Sequence, residues 1–425
     1  MLSRADKIFI ALIGAGLMSI YVGTVSMYLW LGLLLVRLFM LNRIELGLFS
    51  LMFGSGLCGR MFVSDVLVVV ITVVFITLGY VLLRKEILKT IAHHKASFLI
   101  FGVLIFYLVV MYLLGPMNSY ATGKISRLVV RGITWMLLFQ IYVQYKDVNN
   151  NHFAIMYGLL SIFYLSQAYV IYGVHPSGLF DVSFFRDIAE EVGRNDSNTM
   201  IVNTHTMGYL SVGTLVFFAS TKKFNIKSAW NLLYVAILGL LVLISGARQA
   251  MIIFVGIMAF RIAVGNGNIV KKALEALLCV CVLAVIAVNS GSSALEKSME
   301  GNNAGEVLHR DLNTPFVVMQ VDPVFGVGFG GYQEHGNKSY PHNMFFEIFS
   351  EFGIIGSSLF VLILVLSFLI GDIRVMYVTA NGSFLILFLV IYFLKAMVSG
   401  DLSVSIVIFG VLLSFIKQHK LQLNK

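Results

Sequence analysis

The chain has 425 residues, of which 59% are hydrophobic and only 12% charged, and its mean hydropathy is +0.90. Soluble globular domains carry roughly 45–50% apolar residues, so this composition excludes water as the solvent for most of the chain. The net charge of +9 comes from basic residues scattered between apolar runs with no RNA- or DNA-binding motif among them, which argues against nucleic acid as a partner.

A bilayer core about 30 Å thick is crossed by about 20 apolar residues in a helix. Apolar runs between polar breaks predict spans over 8–23, 25–41, 45–60, 65–83, 97–114, 126–144, 153–173, 200–219, 229–244, 250–264, 273–290, 352–370, 382–398 and 402–416, with 45–60 the weakest. The first run follows Arg4 and Lys7, but no A-x-A-like cleavage site comes after it, so it reads as an uncleaved helix and not as a signal peptide. The expected fold is an all-α, polytopic membrane bundle of about 12–14 spanning helices. It forms one membrane domain, 1–425, with two long polar loops at 174–199 and 291–341. The cysteines Cys58, Cys279 and Cys281 lie in or beside apolar runs, and the last two point to different faces of a helix, so neither a disulfide framework nor a metal site follows.

Lysine and arginine fix the orientation. With the N-terminus inside, the clusters Arg84-Lys85 to Lys95, Lys222-Lys223 with Lys227, Lys271-Lys272 and Lys417 to Lys425 all fall in the cytoplasm, and both long loops face outward. The five prolines, Pro116, Pro176, Pro315, Pro323 and Pro341, then all lie in outer segments, where none breaks a spanning helix.

Polar side chains are costly at bilayer depth, and in this chain they gather at the outer ends. Arg186 and Arg194 lie in the first long loop, Arg248 in the short hairpin Ser245-Gly-Ala-Arg-Gln-Ala250, and His309-Arg310-Asp311 in the second long loop. Tyr340-Pro-His342-Asn343 closes that loop and is followed by Glu347 and Glu351; Asn343, Glu347 and Glu351 recur every four residues and share one helix face. A transporter would place such groups near the midplane on interrupted helices. The glycines at 326, 328, 330 and 331 have the spacing of a phosphate-binding loop but no βαβ context, so a flexible turn is the plainer reading. Gly353 and Gly356 read as sites of close helix packing. The guanidinium fork of Arg248 suits phosphate oxygens, although an arginine there also serves as a headgroup anchor. No two aspartates stand two apart as in metal-binding Asp-x-Asp, so neither a metal nor another cofactor is expected.

Ser-Gly-Ala-Arg at 245–248, Asp-Pro-Val-Phe-Gly-Val-Gly-Phe-Gly at 322–330 and His-Asn-x3-Glu-x3-Glu-x-Gly-x2-Gly at 342–356 together resemble the O-antigen polymerase and ligase superfamily across roughly the second half of the chain. The resemblance implies a lipid-dependent glycosyltransferase fold of the GT-C type in the bacterial inner membrane, with its active site facing the periplasm. It also implies an undecaprenyl-diphosphate-linked oligosaccharide as donor and acceptor, surrounding membrane lipid, and a polysaccharide chain-length regulator as protein partner. On this reading His342, Arg248 and Arg310 are catalytic, and Asn343, Glu347, Glu351, Tyr340, His309, Arg186 and Arg194 contact substrate. Three roles stay open for His342: base toward the acceptor hydroxyl, cation on the diphosphate, or a structural hydrogen bond at the helix start. Polymerase is favoured over ligase, because the outer loops are modest and not strongly basic for docking a phosphorylated core; a lipid-linked sugar transporter is the rival from another class.

The charge bias predicts that Lys338→Cys is labelled by an impermeant thiol reagent from the periplasmic side. Reaction only after the inner membrane is opened would invert the topology.

Overall fold

The computed structural model describes residues 2–19, 24–57, 65–145, 148–172, 204–220, 228–245, 248–264, 313–336, 341, 343–370, 380–398 and 402–416. The expected span 273–290, the loop 174–199 and the first part of the loop 291–341 lie outside these residues. Among the described residues the structure is helical, with no β-sheet.

In chain order the helices are α1 (Arg4–Ser19), α2 (Thr24–Phe39), α3 (Arg43–Met52) with a π-helical turn at Phe53–Leu57, α4 (Asp65–Leu82), α5 (Arg84–His93) and α6 (Lys95–Leu114). There follow α7 (Ser119–Gln144), α8 (Asn150–Tyr172), α9 (Thr204–Ala219), α10 (Ala229–Ile244) and α11 (Arg248–Val264). The last are α12 (Asn313–Val321), α13 (Tyr332–His335), α14 (Met344–Ile370), α15 (Ala380–Val398), α16 (Leu402–Ser405) and α17 (Val407–Ser414). Two stretches, Lys95–Leu114 and Met344–Ser367, are long and apolar enough to cross a membrane, with hydropathies of 2.6 and 2.2. Shorter apolar helices of 10–17 residues lie at Val25–Phe39, Val69–Leu82, Met207–Ala219, Ala229–Ile244, Ala250–Ile262 and Phe384–Met397.

The helices depart from the predicted spans where polar side chains find partners. The weak span 45–60 becomes a short helix, and α3 starts with a reciprocal cap in which Glu45 N donates to Asn42 Oδ1 and Asn42 N to Glu45 Oε2. Helix α7 starts at Ser119, seven residues before the predicted span, because Asn118 Oδ1 accepts from Ala121 N at 2.8 Å. Helix α14 starts at Met344, because Glu347 and Glu351 lie on its buried face. The run 402–416 divides into α16 and α17.

The chain gathers into two compact units. The first comprises Met1–Phe49, Leu57–Val74 and Val148–Asn303, the second Ser50–Gly56, Phe75–Asp147 and Ala304–Lys425. In the first, α8 packs against α1, α2 and α9, and α9 against α10 and α11, around the buried aromatics Trp30, Tyr164, Phe217, Tyr234 and Phe254. Its buried charges among the described residues are paired: Arg37 donates to Asp6 at 2.8 Å, and Glu45 meets His152 Nδ1 at 2.9 Å. In the second, α7 packs against α5, α6, α15, α16 and α17. Trp135 and Phe139 of α7 stack on each other and meet Phe388 of α15, and Gln140 Nε2 donates to Leu413 O at 2.9 Å. Gly410 lets α17 approach the α7 backbone, since a Cβ there would come within 3.3 Å of Met136 N.

Helix α14 is broken at Gly353, whose φ of 59° and ψ of −160° lie outside the helical region. A break in an apolar helix leaves main-chain donors and acceptors that need new partners. The glycine loop supplies them. Val327 N and Gly328 N donate to Ser350 O and Glu351 O, each at 3.0 Å, while Ile354 N and Ile355 N donate to Pro323 O and Val324 O at 2.9 and 3.2 Å. Gly326, Gly328 and Gly330 all have positive φ, and a Cβ at 326 would collide with the Glu351–Phe352 peptide. The four glycines thus form neither a flexible turn nor a phosphate loop, because the amides of residues 326–329 are already bonded within the protein.

Alanine at 353 would meet both a strained dihedral and the Val324 carbonyl. Strain of this kind is worth about 1–3 kcal/mol before the collision is counted, so Gly353→Ala should lower the thermal midpoint of the purified protein in detergent clearly. An unchanged midpoint would mean that the break is not held in this conformation.

Candidate active site

The face of α14 that carries Asn343, Glu347 and Glu351 is built from the helix start inward. Asn343 Oδ1 accepts from Phe345 N at 2.9 Å and from Phe346 N at 3.3 Å, capping the first turn. Its Nδ2 donates to Met397 O at 2.9 Å, in the last turn of α15. The residue before this cap is His342. One turn on, Glu347 Oε2 accepts from Leu402 N at 2.7 Å, an amide that would otherwise be left over at the start of α16.

The second carboxylate oxygen of Glu347 pairs with Lys124 Nζ of α7, and the same ammonium donates to both oxygens of Glu351, at 2.8 and 2.7 Å. None of the three side chains is exposed to any degree. Phe329 of the glycine loop lies 4.7 Å, ring centroid to Nζ, from the ammonium, and Tyr120 lies 5.7 Å from it. One buried cation therefore joins three segments: α7, the broken helix α14 and the glycine loop. Gly115 tightens the same junction, because a Cβ there would come within 3.0 Å of the Phe329 main chain.

Among the residues singled out from sequence, the structure thus brings Asn343, Glu347 and Glu351 into one framework. Glu347 and Glu351, expected among the sugar contacts, face inward onto Lys124 and Leu402, so here they hold the helix. Asn343 likewise spends its side chain on the cap and on α15. Arg248 opens α11, at the helix end where backbone N–H groups favour an anion. The Arg248 side chain, and His342, Tyr340, His309, Arg310, Arg186 and Arg194 altogether, lie outside the described residues. Gly353 serves the helix break, whereas Gly356 does make room for a neighbour, the Tyr107 hydroxyl of α6.

Compared with known proteins, the chain matches no family model and no curated sequence. The family resemblance therefore rests on its sequence motifs alone.

Lys124 is the residue that sequence reasoning missed. It precedes the apolar run 126–144 by two positions, and a lone lysine at the end of a span reads as a headgroup anchor. The available signal was the pair of glutamates four residues apart, which in an apolar setting requires a cation.

Breaking a buried ion pair by removing one partner typically costs about 3–5 kcal/mol, because the remaining charge is left uncompensated. Lys124→Met should therefore destabilise the protein strongly. Adding Glu347→Gln and Glu351→Gln in the same chain should recover much of the loss. A triple variant no more stable than Lys124→Met would show that charge compensation is not what Lys124 provides.

Proposed function

We propose that the chain is a polytopic inner-membrane glycosyltransferase that polymerises undecaprenyl-diphosphate-linked repeat units at the periplasmic face. Support for a membrane setting comes from where apolar side chains point. Helix α6 exposes Leu99, Phe106 and Leu114 at 70%, 70% and 75%, and the second half of α14 exposes Leu369 at 77%. In water such faces would be an aggregation liability; in lipid they are the expected outer surface.

The observation that carries the enzymatic reading is the joining of two of the three family-like motifs. The stretch 322–330 and the stretch 342–356 are tied by four main-chain hydrogen bonds, with the Lys124–Glu347–Glu351 cluster behind them. Residues that look unrelated along the chain act as one brace, and that brace fixes the first turn of α14 beside His342. Stabilising charge as it develops works best from groups that need not reorganise during the reaction, so a rigid helix start suits a catalytic neighbour.

In the proposed reaction the acceptor hydroxyl attacks the anomeric carbon of the donor, the bond from that carbon to the diphosphate oxygen breaks, and undecaprenyl diphosphate leaves. His342 takes the hydroxyl proton or meets the diphosphate. Arg248 and Arg310 supply fixed cations to the leaving group, the first from a helix N-terminus where the dipole adds to its charge. Tyr340, His309, Arg186 and Arg194 belong to the sugar and headgroup contacts of the outer loops. Asn343, Glu347 and Glu351 keep the scaffold in register.

Purified His342→Ala should lose turnover by about 10²–10⁴-fold with donor binding retained if the histidine is the base. It should lose donor binding itself if the histidine contacts phosphate. Arg248→Lys should also lose most activity, since it keeps charge but not the two-pronged fork. A near-normal polymer ladder from either variant, in well-expressed protein, would remove that residue from the mechanism.

A further inference from the structure

Helix α5 is unlike its neighbours. It lies between the apolar helices α4 and α6 and is separated from them by Leu83 and His94, whose ψ angles of 11° and 35° are not helical. One face is built in: Glu86, Ile87 and Thr90 are buried, Thr90 Oγ1 donates to Gln144 Oε1 of α7 at 3.3 Å, and α5 packs on α6 and α7. The opposite face has no partner among the described residues. It carries Leu88, 62% exposed, and Ile91, 41% exposed, set among exposed Arg84, Lys85, Lys89 and, two residues past the helix end at the start of α6, Lys95.

At 100° per residue, Leu88 falls between Arg84 and Lys85 around the helix, and Ile91 lies beside Arg84. None of the four cations meets a carboxylate within 4 Å among the described residues, and the only acidic residue of α5, Glu86, is on the buried face. Apolar side chains flanked by unpaired cations, on a short helix next to two apolar ones, match the chemistry of a leaflet boundary: hydrocarbon beneath, phosphate around it.

We propose that α5 is an interfacial helix that docks on the anionic phospholipids of the cytoplasmic leaflet. Leu88 and Ile91 enter the acyl boundary, and Arg84, Lys85, Lys89 and Lys95 hold headgroup phosphates. The occupant is set by charge complementarity, because zwitterionic lipid offers no net charge to four cations that meet no carboxylate among the described residues. The proposal uses the membrane setting of the chain but not the glycosyl transfer.

The test uses the full chain in nanodiscs. In a background with the three native cysteines replaced by serine, Leu88→Cys carries an environment-sensitive fluorophore. In discs containing phosphatidylglycerol, lipids spin-labelled near the top of the acyl chain should quench it, and aqueous iodide should not. Phosphatidylglycerol should also raise the thermal midpoint relative to phosphatidylcholine alone. The combined variant Arg84→Gln, Lys85→Gln, Lys89→Gln should lose that gain, as should added salt, with affinity for the anionic lipid falling about fivefold per charge removed. The three changes are at exposed positions, and the midpoint in phosphatidylcholine checks that the fold is kept. A label at position 88 open to iodide in both lipid mixtures would overturn the proposal, as would an undiminished phosphatidylglycerol effect in the variant. Iodide access together with salt-sensitive capture of an acidic protein would assign the face to that partner instead. Failure of the membrane setting is distinguishable, because the protein would then not stay with the discs at all.

Discussion

One ammonium group organises the second unit. Lys124 is wholly enclosed, and its charge is answered by three carboxylate oxygens on successive turns of α14. Desolvating an ion carries an effective penalty of several kcal/mol, which is offset only where geometry and hydrogen bonds are good. Here Glu351 accepts through both oxygens, Glu347 also takes the Leu402 amide, and Phe329 faces the cation. Such a cluster is weak evidence for stability as such. It is better evidence for register, because few placements of α7, α14 and the α16 start bring those atoms within reach of one another.

The same constraint explains the glycine loop. Bringing Glu347 and Glu351 to Lys124 and then continuing as an apolar helix requires α14 to change course, and it does so at Gly353. The freed carbonyls at 350 and 351 and the amides at 354 and 355 are taken up by residues 323–328, and the loop returns Phe329 to the ammonium. Positive φ at residues 326, 328 and 330 lets a main chain lie this close to another main chain. A glycine-rich sequence here therefore serves backbone recognition of backbone.

How much of this was legible follows from the range of each interaction. Helix bounds set by local composition came through: 229–244 coincides with α10, and 97–114 and 382–398 differ from α6 and α15 by two residues at one end. The shared face of Asn343, Glu347 and Glu351 was also legible, since helical periodicity is local. Whether that face turned to a ligand or to the interior was not. It depends on Lys124, more than two hundred positions away, and nothing in the residues around 347 names it. The early start of α14 was missed for the same reason: two glutamates lower the local hydropathy until their partner is known. Helix α5 was hidden inside a basic loop, where charge dominates the average and the period of Glu86, Ile87 and Thr90 is too short to stand out.

Lysine makes the general point. Lys124 and Lys89 each lie in a polar break between predicted apolar runs, and hydropathy treats them alike. At Lys124 the neighbouring α14 presents two carboxylates, so the cation is drawn inward and becomes part of the packing. At Lys89 the only acid on the helix, Glu86, is itself buried, and the cation remains outside. Withdrawing an ammonium from water is tolerable where carboxylates replace the hydration shell, and unfavourable elsewhere. The fate of each lysine is therefore decided by what the adjoining helix offers. For that reason the positions of partnered and exposed cations among the described residues say more about this protein than its net charge does: the partnered one at 124 marks where the fold is fixed, and the exposed one at 89 marks where it is not.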